Sequence, residues 1–126
     1  MKIKKMVIAL LAVAAIAIGA IVPAFASGQT STANIYTTSM TYGSYTTDTA
    51  TSCYGYISCG PRSSTVYGYF QYNNGTNGGS TSVYDTTGSG TTKNFSGSSS
   101  GLWTRWRAAG YCAYSGSSAV CRLTTN

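Results

Sequence analysis

The stretch Ser64-Thr65-Val66-Tyr67-Gly68-Tyr69-Phe70-Gln71-Tyr72, followed by Asn73-Asn74-Gly75-Thr76-Asn77-Gly78-Gly79, decides the class of fold. Its first half is β-branched and aromatic, the composition that fits a pleated surface. Its second half is turn chemistry, because Asn and Gly tolerate the backbone angles that tight turns require. Side chains alternate along a strand, so Val66, Gly68, Phe70 and Tyr72 share one face and Thr65, Tyr67, Tyr69 and Gln71 the other. Neither set is purely polar, since Tyr accepts a half-wet position. The alternation therefore predicts a strand and leaves open which side is the core.

The same texture extends in both directions. Candidate strands are Ala33–Thr38, Tyr42–Thr47, Thr49–Ile57, Ser64–Tyr72, Ser80–Thr86, Thr91–Phe95, Leu102–Arg107, Gly110–Ser115 and Ser118–Thr124. They are separated by Cys59-Gly60-Pro61-Arg62, Asn73–Gly79, Thr87-Gly88-Ser89-Gly90 and Gly97–Gly101. Short strands at this spacing predict an all-β fold, a small antiparallel β-sandwich or barrel. The segment Leu102-Trp103-Thr104-Arg105-Trp106-Arg107 reads as a strand with Leu102 and Trp106 inward and Trp103, Arg105 and Arg107 outward. A short helix capped by Gly110 would also bury Trp106.

Ahead of this domain stands an address. Lys2, Lys4 and Lys5 precede an uncharged run from Met6 to Val22, then Pro23 and Ala24-Phe25-Ala26. A positive start, an apolar middle and a small-x-small site form a secretory signal pattern, with cleavage expected after Ala26. The expected organisation is residues 1–26 as signal peptide, 27–32 as a flexible N-terminus and 33–126 as one β domain. The product would be extracellular, with no stable membrane anchor after cleavage. The whole chain carries +6. Without the signal, Arg62, Lys93, Arg105, Arg107 and Arg122 face Asp48 and Asp85, so five cations less two carboxylates leave +3. That is too little clustered charge for nucleic acid, and it leaves room for a cell-envelope glycan or an anionic surface as partner.

Four cysteines in a short secreted chain predict two disulfides. Gly116-Ser117 suits a two-residue hairpin turn. Counting outward from it sets Cys112 opposite Cys121 as a non-hydrogen-bonded pair, where side chains approach most closely. Cys53 and Cys59 would then close a local loop. Loop entropy favours a long-range bridge such as Cys59–Cys112, at about 4 kcal/mol against roughly 2.5 for each local one. The hairpin register decides for Cys112–Cys121 and Cys53–Cys59.

The absence of His and Glu removes the usual nucleophile–base pairs and zinc ligand sets. Asp48 and Asp85 are the only side-chain carboxylates, and each sits in an ordinary strand or turn context. No enzyme activity, cofactor or metal is expected. The candidate binding surface consists of Trp103, Arg105 and Arg107, with Tyr67 and Tyr69 (and Tyr54 and Tyr56) as stacking platforms for sugars. These features point to a secreted non-enzymatic binding domain acting at a cell surface or on a glycan. A signal, a β domain near 100 residues and a Tyr/Ser/Gly bias are also similar in format to small secreted bacterial proteins, β-sandwich bacteriocins among them. The alternative is thus a bacteriocin-like toxin acting on the envelope of competing cells through a cationic Trp/Arg face.

Overall fold

A computed structural model describes residues 28–126; the expected signal segment and Ala26 cleavage site lie outside them. Among the described residues eight strands form two antiparallel four-stranded sheets: β1 (Thr30–Ile35), β2 (Thr41–Tyr42), β3 (Ser52–Cys59), β4 (Val66–Tyr72), β5 (Thr76–Val83), β6 (Thr91–Ser98), β7 (Trp106–Cys112) and β8 (Ala119–Thr125). One sheet runs β1-β8-β3-β6 and the other β2-β7-β4-β5. Only β4 and β5 are a hairpin within one sheet; every other connection crosses to the facing sheet. This is the double Greek-key wrap of an eight-stranded jelly roll. Among the described residues no helix is long and apolar enough to cross a membrane.

The open question of faces is settled by packing. Val66 and Phe70 are fully buried, so the Val66/Gly68/Phe70 side of β4 is the core and the Tyr67/Tyr69 side is outside. Ile35, Ile57, Cys121 and Leu123 from the first sheet meet Val66, Phe70, Trp106 and Ala108 from the second. Phe70 stacks on Phe95, ring centroids 3.8 Å apart, tying β4 to β6 across the sandwich. Gly68 and Gly110 are paired in register, and their missing side chains make room for isoleucine. A Cβ at Gly68 would stand 2.8 Å from Ile57 Cδ1, and one at Gly110 2.4 Å from Ile35 Cδ1. Bulky residues of one sheet thus fill gaps in the other, which is how a chain with few aliphatics reaches interior density.

Several boundaries differ from the sequence reading. Thr30–Thr32 belong to β1 rather than to a flexible terminus: Ser31 is buried, and the Gly28 N–H donates to the Thr125 carbonyl. The two segments expected at Leu102–Arg107 and Gly110–Ser115 are one strand, β7, running through Ala108-Ala109-Gly110. Leu102, expected inward, lies before β7 and is 48% exposed. Strand β5 begins at Thr76, inside the stretch expected to be a turn. Its register slips at Phe70/Gln71 so that Gly78 has no partner on β4. The Trp106 ring occupies the space a side chain there would need.

The disulfide expectation is corrected. All four cysteines are buried thiols. Cys112 ends β7 opposite Val66, whereas Cys121 sits on β8 between Ala33 and Ile57, in the facing sheet. The chain from 113 to 118 is an arch over the end of the sandwich, not a hairpin turn. Gly116 does take a positive φ of 91°. Its neighbours, however, bind the other connection: Ser117 Oγ accepts from the Ser64 N–H at 2.9 Å, and the Ser118 carbonyl from the Gly60 N–H at 2.9 Å. Cys53 and Cys59 lie on the same strand, six positions apart, a span of about 20 Å that no S–S bond bridges.

Candidate functional site

The outer face of the β2-β7-β4-β5 sheet is built from β4 and β7 in register. Tyr67 lies opposite Tyr111, Tyr69 opposite Ala109 and Gln71 opposite Arg107. The missing side-chain bulk at Ala109 lets Tyr111 reach both neighbours: ring centroids are 5.0 Å apart for Tyr67–Tyr111 and 6.2 Å for Tyr69–Tyr111, with planes 27° and 15° apart. Burial, and then the neighbouring Tyr111 hydroxyl, push the Tyr69 phenol up to about 12. Tyr69 thus stays a neutral phenol through the physiological range, and all three rings are half-exposed.

Next along the sheet the Arg107 guanidinium is fixed from three sides. Its carbon lies 3.9 Å from the Tyr42 ring centroid and 4.7 Å from that of Tyr45, and Nε donates to Gln71 Oε1 at 3.0 Å. Gln71 Nε2 in turn donates to Asn77 Oδ1 at 3.0 Å, which explains a buried glutamine on an outer face. The Gly75 N–H donates to the Tyr45 hydroxyl at 3.1 Å, tying the β4–β5 turn to the same group. Two cation–π contacts at a partly exposed site are each worth about 0.5–1 kcal/mol. Arg107 is therefore a rigid part of the surface rather than a free cation.

Beyond Tyr45 a cavity of about 360 Å³ opens, lined by Tyr45, Asn73, Asn74, Trp103 and Arg105 among others. Asn73 and Asn74 take positive φ values of 41° and 60°, which Asn tolerates and which turn the loop toward the cavity mouth. Trp103 is 64% exposed, while Trp106 is fully buried with Nε1 donating to the Ala50 carbonyl at 2.9 Å. The structure thus divides the Trp/Arg cluster: Trp106 is core, Arg107 is pinned, and Trp103 and Arg105 face the cavity. From Tyr67 to Asn73 the strip runs six residue steps along β4 and its turn, about 20 Å.

Sequence reading found Trp103, Arg105, Arg107, Tyr67 and Tyr69, and the fold brings them onto one surface. It missed Tyr111, Tyr42 and Tyr45, which no local spacing connects to β4, and did not count Gln71, on the same face of β4 as Tyr67 and Tyr69, or Asn74 in the turn that follows. Tyr54 and Tyr56 are separated from the strip, on the opposite side of the sandwich.

The two carboxylates do not meet. Asp85 Oδ1 accepts from the N–H groups of Thr87, Gly88 and Gly90, each at 3.0 Å, and Oδ2 from the Arg62 N–H. The Arg62 N–H, with those of Thr87, Gly90 and Gly88, holds this carboxyl down to about 2. Asp48 stands near the end of β8, where Gln29 Nε2 donates to its Oδ2 at 3.0 Å. Asp85 is near the start of β8, through Arg62 and Ser63. Among the described residues there is no cluster of three or more His, Cys, Asp or Glu that could hold a metal. No protein-family model, curated protein or solved structure matches this chain.

Proposed function

We propose that the protein is a secreted, non-enzymatic domain that binds a glycan at a cell surface through the Tyr67–Trp103 strip. One observation carries this reading: a strip about 20 Å long of half-exposed rings leading, past the Arg107 group, to a Trp-lined cavity. Rigid aromatic rings offer large amphipathic contact area at low entropic cost, and the C–H face of a sugar ring packs on such a surface. Asn74 and Arg105 supply polar groups beside the rings, the mixture expected of a specific site. Secretion is supported by the Lys2–Ala26 pattern. The bound-up Asp85 and the distance between the two carboxylates support a role without catalysis.

The test is affinity electrophoresis through gels containing neutral polysaccharides. Trp103→Ala and Tyr69→Ala should each weaken retention by about 10-fold, the effect of losing one anchor worth about 1.4 kcal/mol. Unchanged retention in both variants, or none in the parent across a polysaccharide panel, refutes the reading. The toxin alternative draws support from Trp103 beside Arg105, and growth inhibition of related bacteria by the purified protein would favour it. Arg107, held by two tyrosine rings and Gln71, keeps its charge but is less free than Arg105 to reach a membrane partner.

A further inference from the structure

The opposite side of the sandwich carries a patch of different chemistry that the strip does not use. On the outer face of the β1-β8-β3-β6 sheet, Tyr56 lies directly opposite Arg122 on β8 and Asn94 on β6; Tyr54 lies opposite Thr124 and Ser96. Two shallow cavities, about 630 and 610 Å³, adjoin there and share Tyr56. The second contains Tyr54, Tyr56, Asn94 and Arg122 together. Tyr54 is 53% exposed, and Arg122 is exposed.

The contrast with Arg107 is the informative point. Arg107 is stacked between two rings and hydrogen-bonded to Gln71. The Arg122 guanidinium, among the described residues, has no hydrogen bond, no ion pair and no ring stacked on it. Both aspartates are engaged elsewhere, so nothing on this face neutralises it. A cation in the centre of a flat patch, with two tyrosine rings and an amide around it, has the donor set for a planar carboxylate. Besides the tyrosine rings and Val120, the surrounding side chains include Asn34, Asn94, Ser96 and Thr124, and this mixture of flat rings with hydroxyls and amides suits a sugar.

We propose that this face is a second binding site, for the carboxylate of an acidic glycan, independent of the strip on the other side. A chain carrying both sites could hold an acidic and a neutral polymer at once. The probe is polygalacturonate immobilised on a biosensor, at low salt, with dextran as neutral reference. Arg122→Gln and Tyr56→Ala should each lower affinity about 10-fold or more, with circular dichroism unchanged. Lys93→Gln, which removes the same charge away from the patch, should stay within twofold. The proposal is overturned if Arg122→Gln binds within twofold of the parent, if Lys93→Gln loses as much, or if the parent ignores the polymer. It is also overturned if Arg122-dependent binding is as strong to phosphatidylglycerol vesicles. Strip binding is read separately, on neutral polymer with Trp103→Ala, so either site can fail alone.

Discussion

Replacing Gly78 with alanine places a methyl group where the six-membered ring of Trp106 already lies. An ideal Cβ at Gly78 falls 2.6 Å from Trp106 Cη2, 2.7 Å from Cζ3 and 3.0 Å from the Ser98 carbonyl oxygen. A comfortable carbon–carbon contact is about 3.5–4.0 Å. The indole has little freedom to retreat: it is fully buried, its Nε1 is bonded to the Ala50 carbonyl, and Tyr72 packs at 5.1 Å. Overpacking of this kind costs about 1–3 kcal/mol, and the lower unfolded-state entropy of alanine returns about 0.4–1 of it. The expected net loss is about 1–2 kcal/mol, or roughly 4–16 °C in Tm for a domain of about 100 residues. Trp106→Phe removes the ring that causes the clash and, with the lost hydrogen bond, is itself destabilising by about 2–3 kcal/mol. In that background Gly78→Ala should be nearly neutral, a coupling of about 1–2 kcal/mol. Urea denaturation of the four proteins, followed by circular dichroism, measures the cycle. Losses that add to within about 0.5 kcal/mol would refute the contact between β5 and Trp106.

The acid and alkaline limits follow from groups with displaced titration. Asp85 is lowered from 3.8 to about 2, so its stabilisation is present above pH 3.8 and lost as pH falls through 2; Asp85→Asn should flatten that limb of a urea-midpoint profile. Tyr69 is raised from 10.0 to about 12, and burial raises Cys53 and Cys121 from 9.0 to about 12. Their protonated forms are favoured in the native state, so stability should hold below pH 9 and fall progressively toward pH 12, as the same midpoints will reveal. Ellman's reagent should find almost no reactive thiol in the native protein and all four after denaturation; an intact mass lower by two or four hydrogens than the reduced chain would restore the disulfides. Arg107→Gln, which removes two ring contacts and the bond to Gln71, should cost about 1–2 kcal/mol in the same denaturation assay.

What the sequence determined by itself is the class of fold and the tyrosine-rich surface. Val66 to Tyr72 alternates because a strand has period two, and Asn73-Asn74-Gly75 and Thr87-Gly88-Ser89-Gly90 mark turns, whereas Asn77-Gly78-Gly79 and Gly97-Ser98 run on as strand. Trp106 was legible as core on either local reading, since strand and helix periodicities both put it on the inward face, away from Arg105 and Arg107. Three kinds of fact lay beyond any local pattern. The alternation of β4 carried apolar surface on both sides, so only the isoleucines of the facing sheet, seated over Gly68 and Gly110, decided which side was inside. The Cys112–Cys121 register assumed that neighbouring strands pair, whereas β7 and β8 separate into different sheets and their connection arches over the sandwich. Arg105, Arg107 and Arg122 look alike in sequence. The tertiary structure alone pins Arg107 between Tyr42 and Tyr45, turns Arg105 to the cavity and leaves Arg122 unpaired on the far face. The physical reason is the same in each case: a guanidinium's role, or a strand's inner face, is set by partners on other strands, as distant in sequence as Tyr42 from Arg107 or Ile35 from Gly110, and those partners arrive only when the strands pair and the two sheets close.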